Sequence, residues 1–199
     1  MYRMQRNNAT ETSVGTMTSA INENDENATN DEDEPLTAPG TSPYPVDLRV
    51  AGEPAVVVGG GRVATRKVTH LLNAGAKVTV VSPELDEPLA ERVKAGEITW
   101  DAKDYETGDL ADARVVIACT DDPAVNHRVV ADAKPGQLVN NTADPQESDF
   151  FNVAVIEQGK LIVTVSSKGV DPALVRRVKQ RLAGVLPDLL AGESVSVEG

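Results

Sequence analysis

Three consecutive glycines between a β-branched strand and an amphipathic helix constrain this chain more than any other feature. In Ala55-Val-Val-Val-Gly-Gly-Gly-Arg-Val-Ala-Thr-Arg-Lys67 the apolar run stops at Gly59, and a helical pattern begins at once. The spacing reads as G-x-G-x-x-A, with Gly59, Gly61 and Ala64 at its three positions. A dinucleotide-binding turn needs a glycine for the tight turn, a second for backbone approach to a pyrophosphate, and a small residue for helix–strand packing. The helix start adds free N–H groups and a partial positive charge. Ala64, Val68, Leu71 and Leu72 make one apolar helical face, Asn73-Ala74-Gly75 ends it, and a second strand follows over 77–81. Together these form a βαβ unit with the glycines at its first joint.

The alternation continues. Ser82-Pro83-Glu84 reads as a helix start, with Ser82 as cap and the helix running to about Ala95 before Gly96. Short strands are expected over 98–100, 114–119 and 138–140, the middle one apolar throughout, as in a sheet covered on both faces. Asp122-Pro123 opens a helix to about Ala133. The fold class is therefore α/β, a Rossmann-type doubly wound parallel sheet over residues 44–145. After Pro145 the rhythm changes. Two β-branched runs flank Glu157-Gln-Gly-Lys160 as an antiparallel hairpin, and Asp171-Pro172 starts a helix to about Val185, making a second element over 146–190 with a frayed end over 191–199.

The chain has 199 residues and a net charge of −12. Residues 1–43 hold eight acids against Arg3 and Arg6, so this Asn-, Thr- and Ser-rich segment supplies half of the excess. It shows no apolar periodicity and is expected to be a disordered acidic tail, without the apolar stretch of a signal peptide. The rest of the chain contains no run long enough for a bilayer and no dominant basic stripe, which argues against membrane and nucleic-acid partners. A single cysteine, Cys119, suits a reducing cytoplasm and reads as a small buried residue.

The candidate cofactor residues are Gly59, Gly60, Gly61, Arg62 and Val63 at the turn, with Ser82, Pro83 and Thr120 beside them at the carboxyl edge of the sheet. The acid that usually grips ribose hydroxyls at the end of the second strand is replaced by Ser82, which serves equally well as a helix cap. Asp122 reads as a cap and Asp121 as solvated. Asp144 has no helix start after it and lies where a nicotinamide and a substrate would meet, so a general-base role fits. His70 and His127 have no partners at metal spacing, and no metal site is expected. Arg176, Arg177, Lys179 and Arg181 share one helix with no acid between Asp171 and Asp188. They form either a solvated face or a site for a carboxylate-rich ligand.

From about Tyr44 to Leu190 the chain resembles the precorrin-2 dehydrogenase family, the dehydrogenase and sometimes ferrochelatase part of siroheme synthase. The resemblance runs through Val56-Val-Val-Gly-Gly-Gly-Arg-Val-Ala-Thr-Arg-Lys67, Val78-Thr-Val-Val-Ser-Pro-Glu84 and Val116-Ile-Ala-Cys-Thr-Asp-Asp122. It continues through Tyr105-Glu106, Asp109-Leu110 and Val125-Asn126, then Asn141-Thr-Ala-Asp144, Ser148-Asp-Phe150 and Val165-Ser-Ser-Lys-Gly169 with Pro172-Ala-Leu174. Relatives often carry Ser-Ser-Gly-Gly where this chain has Ser166-Ser-Lys-Gly169. The resemblance implies NAD-dependent oxidation of precorrin-2 to sirohydrochlorin by a cytoplasmic homodimer, with residues 146–190 serving dimerisation and covering the substrate. It makes Asp144 the catalytic aspartate, although a gap-free alignment would put Ala143 there. Arg176, Arg177 and Lys179 are then expected to meet the substrate's carboxylates. The alternative is a non-catalytic NAD(H)-sensing domain.

Overall fold

The structure, a computed structural model, describes residues 43–191. The tail expected over 1–43, apart from Pro43, and residues 192–199 lie outside the described residues. The described chain runs β1 (Pro54–Val58), α1 (Arg62–Asn73), β2 (Lys77–Val81), α2 (Glu87–Lys94), β3 (Thr99–Asp101), β4 (Val115–Ala118), α3 (Pro123–Asp132) and β5 (Leu138–Asn141). A 3-10 turn, Pro145–Glu147, is followed by β6 (Ala154–Gln158), β7 (Leu161–Val165) and α4 (Pro172–Ala191). Strands β1 to β5 form one parallel sheet, as expected from the alternating sequence pattern, and its strand order is β3-β2-β1-β4-β5.

Alternation within each strand supplies two cores. Val57 pairs in register with Val80 and Ile117, and all three face Ala64 and Val68 of α1 and Leu89 of α2. Val56, Val58 and Val116 face the opposite way, onto Val129 of α3 and Leu110. Burying side chains of this size contributes about 1.5–3 kcal/mol each, so the sheet is held from both sides. β2 and β3 lie to one side of β1, and β4 and β5 to the other. The order therefore reverses between β1 and β4, the place where open α/β sheets bind ligands.

The Asp-Pro signals behave as expected at Asp122, whose carboxylate accepts from Ala124 N at 2.8 Å, and at Asp171, which accepts from Leu174 N at 2.8 Å. Two helix boundaries differ. Ser82 caps nothing. The α2 cap is Asp86, accepting from Leu89 N at 3.2 Å with Pro88 just inside the helix, because residues 82–85 lie against Gly60 and cannot coil there. At the other end α4 continues past Val185 to Ala191 with Pro187 inside it, and Leu186 is its one buried side chain.

Residues 148–150 stay with the sheet beyond Pro145. Asp149 exchanges two hydrogen bonds with the backbone of Val139, and Phe150 packs on the α1 face. The β6–β7 hairpin then turns at Gly159, whose φ of +60 fits the first position of a two-residue II′-type connection. α4 packs on β6 and β7.

Candidate functional site

The three glycines do three different things. Gly59 has φ +123, and a Cβ there would sit 2.8 Å from the Cys119 carbonyl oxygen, so only glycine lets β1 turn beside β4. A Cβ on Gly60 would come within 1.9 Å of the Glu84 carbonyl oxygen. That close approach is secured by Asp86 N donating to Gly60 O at 2.8 Å. Around Gly61 there is open space. It occupies the cap position of α1 without any side-chain cap, and the first turn carries no acid. The positive end of α1 thus faces a cleft of about 1200 Å³ with no acid of its own first turn set against it. An uncapped helix end with open space in front of Gly61 is a fitting cradle for a pyrophosphate.

All eight residues expected from sequence, Gly59, Gly60, Gly61, Arg62, Val63, Ser82, Pro83 and Thr120, line this one cleft. The Ser82 hydroxyl donates to Glu84 O at 2.7 Å, while its backbone carbonyl accepts from Trp100 Nε1 at 2.9 Å. Its hydroxyl oxygen still has lone pairs for a ribose hydroxyl. Thr120 is held by Asn126 of α3, a fully buried amide. The Asn126 Oδ1 accepts from Thr120 N at 3.0 Å and from its hydroxyl at 2.9 Å, and Nδ2 donates to Thr120 O at 3.0 Å.

Four contributors had no site role expected from the sequence, although Tyr105 and Asn126 carry part of the resemblance. Asn126 is one. Asp86 ties the loop after β2 to α1 by accepting from the Thr65 hydroxyl at 2.7 Å. Arg128 donates to Tyr105 O at 2.8 Å with its guanidinium 5.3 Å from the Tyr105 ring centre, and both line the cleft. Tyr105 donates its hydroxyl to Asp132 at 2.8 Å, and burial then this bond push its pKa far up. Helical spacing in the sequence marks Arg128, but nothing local connects it to Tyr105. Six carboxylates line the cleft (Glu84, Asp86, Asp104, Glu106, Asp121 and Asp122) against the two guanidiniums of Arg62 and Arg128. Cys119 lies at the floor, where burial pushes its thiol up to about 12, and its Sγ donates to Val58 O at 3.3 Å. It is the structural, unreactive residue expected.

Asp144 follows β5 but does not line the cleft. The expectation that it caps nothing is corrected. Its Oδ1 accepts from Gln146 N at 2.8 Å and caps the Pro145–Glu147 turn, the same Asp-Pro chemistry closed after a single turn. Its loop is ordered by Asn141, whose Oδ1 accepts from Ala143 N at 3.0 Å and whose Nδ2 donates to Glu147 at 2.8 Å. Glu147 also meets His127 Nδ1 at 2.5 Å. That contact, then the Asn141 bond, holds its carboxyl below the usual range.

Arg176, Arg177, Lys179 and Arg181 are exposed on α4, outside the cleft, and make no ion pair among the described residues. α4 approaches α1 closely enough for Lys179 to help lower the His70 pKa, after burial, Lys67 and Arg66. Among the described residues no group of three or more His, Cys, Asp or Glu side chains is arranged to hold a metal ion, and no helix is long and apolar enough to cross a membrane.

Residues 46–154 match the NAD(P)-binding family model NAD_binding_7. Siroheme synthase 1 of Aeromonas salmonicida is 38% identical over 156 residues, which are 78% of this chain and 33% of that protein. The siroheme synthase of Methylobacillus flagellatus is 39% identical over 144 residues, covering 72% of this chain and 31% of that protein. The chain thus spans about a third of the length of these curated relatives. The solved structure of SirC, a precorrin-2 dehydrogenase, superposes with a TM-score of 0.65 at 28% identity, covering 77% of this chain and 83% of SirC. With a glycine cradle and a switch-point cleft of this kind, the chain belongs to the NAD(P)-binding family NAD_binding_7.

Proposed function

We propose that this chain is an NAD-dependent precorrin-2 dehydrogenase that forms sirohydrochlorin. One observation carries the reading: the likeness to SirC covers 77% of the chain, well beyond the nucleotide-binding sheet that many unrelated enzymes share. The relatives' names denote enzymes, which favours this reading over a nucleotide sensor.

The residues divide the work by position. Gly61 and the amides of Arg62 and Val63 hold the pyrophosphate at the α1 N-terminus, and Ser82, Pro83 and Thr120 border the two ends of the dinucleotide. Bound NAD supplies a hydride acceptor. The carboxylate excess around the cleft selects against the extra phosphate of NADP, since like charges at short range disfavour each other. Asp144 takes the substrate proton on Oδ2, which has no partner among the described residues, while Oδ1 keeps the cap that fixes the carboxylate. Arg176, Arg177 and Lys179 pair with substrate carboxylates.

The active form is a homodimer. Ile162, Val170 and Leu189 are each more than half exposed on the hairpin, the loop before α4 and α4 itself, an apolar surface suited to a second copy. The lone reduced cysteine agrees with a cytoplasmic setting. The test is direct. Precorrin-2 generated in situ and supplied with NAD should give the absorbance of sirohydrochlorin, at a rate at least about tenfold above that with NADP. Absence of turnover with either cofactor overturns the assignment.

A further inference from the structure

Lys67 is the only charged side chain that is buried among the described residues. It sits on the inward face of α1, next to Val68 in the row that packs on the sheet. Its ammonium reaches across to β5 and beyond, donating to Asn140 Oδ1 at 2.8 Å and to Asn152 Oδ1. No carboxylate lies within ion-pair distance among the described residues. A buried ammonium satisfied by neutral amides alone is a poor device for stability, because an apolar side chain of like volume would pack there without the desolvation cost. Some requirement other than stability must keep a lysine at this position.

What it holds supplies the requirement. Asn140 passes the contact on, its Nδ2 donating to Phe150 O at 3.0 Å. Asn140 and Asn152 bracket the connection that carries Asp144. The helix that bears Lys67 is the one whose N-terminus faces the cleft. A single side chain therefore joins the cofactor helix to both ends of the segment that presents the candidate base.

Building on the dehydrogenase reading, we propose that Lys67 is a positioning residue. Its bonds to Asn140 and Asn152 set the β5–β6 connection, and with it Asp144, against the cofactor helix. Lys67 does not touch the substrate. The charged groups around it are few. Arg66 and His70 share its helix, Cys119 faces it from just past β4, and Asp149 is committed to the backbone of Val139. Burial, then Arg66, lowers its pKa to about 8, against a small opposing effect of Cys119. Above that pH the two bonds lose their charge assistance, which roughly doubles the strength of such bonds.

The test uses the full chain with Lys67→Met, Asn152→Leu and Asn152→Asp. Three readouts apply: hydrogen exchange of the 148–153 segment, NAD affinity by calorimetric titration, and the pH profile of kcat. Lys67→Met is expected to speed exchange in this segment about tenfold or more, to leave NAD affinity within about twofold, and to lower kcat about 10–100-fold. Asn152→Asp places a carboxylate beside the ammonium and should move the alkaline limb of kcat up by about one pH unit or more. Asn152→Leu should speed exchange without such a shift. Unchanged exchange in Lys67→Met, or an unmoved alkaline limb in Asn152→Asp, overturns the proposal. If Lys67→Met does not fold, the two variants at the exposed Asn152 decide alone. If the unmodified chain does not oxidise precorrin-2, the dehydrogenase reading fails while the exchange measurement still decides what Lys67 holds.

Discussion

The sheet half and the hairpin–helix half of this protein satisfy their apolar residues in opposite ways. Every residue of β4 is buried, and so are four of the five in β1. In β6 and β7 none is buried, and α4 buries only Leu186. The first half closes its own core by covering both faces of a parallel sheet, and its site comes from strand ends that cannot move without disturbing that core. The second half leaves apolar surface open and is suited to being completed by another body. The connection that carries Asp144 joins the two halves.

The sharpest way to break this comparison is at that joint. Asp144→Asn should lower turnover of precorrin-2 about 10²–10⁴-fold while NAD affinity and assembly mass stay unchanged. Equal turnover would move the base elsewhere, with Asp121→Asn and Asp122→Asn made in parallel to find it.

Next in size is a contrast inside the sheet half. Gly61→Val projects into open space and should abolish measurable NAD binding with the melting temperature retained. Gly60→Ala collides with the Glu84 carbonyl and should also lose about 1–3 kcal/mol of stability. If calorimetry and melting fail to separate the two variants, the roles given to these glycines are wrong.

The open half is probed by Ile162→Asp, which should shift sedimentation toward the single chain and leave NAD affinity per chain intact. A dimer that survives this change is built on another surface.

A smaller effect depends on pH. The Lys67 pKa is depressed in the folded chain, so the charged amine opposes folding. That opposition is fully present below about 8 and disappears as pH rises through the ordinary value of 10.5. The unmodified chain should therefore gain stability relative to Lys67→Met between those limits, read from urea unfolding at several pH values. A constant difference would show that the amine is not buried in solution.

The smallest expected effect is at Lys168, the only non-glycine with positive φ among the described residues, at +56. Lys168→Gly should stabilise by at most about 1 kcal/mol. A loss on this change would mean that the lysine side chain has a use of its own in the loop before α4.

Much of this was legible because its causes are local. The β-branched runs, the glycine turn and the Asp122-Pro123 and Asp171-Pro172 caps each depend on residues within a few positions of one another, and all formed where the sequence places them. The start of α2 was not, since Ser82-Pro83 and Asp86-Glu-Pro88 carry equivalent cap signals. The choice between them fell to the contact of Glu84 with Gly60, 24 residues away. Asp144 shows the same limit: its Asp-Pro pair makes a cap, but only of one turn, after which Ser148 binds back to Asn141.

By itself, then, the sequence determined the element order, the parallel sheet and eight of the residues that line the cleft, because strand and helix periods and cap chemistry act over short separations. Only the tertiary structure decided that Asn126 clamps Thr120, that Arg128 and Tyr105 wall the cleft together, and that Lys67 of α1 reaches Asn152 beyond β5. Those contacts join residues up to 85 positions apart. A buried polar group must find a partner wherever packing brings one, and no local pattern records which one that will be.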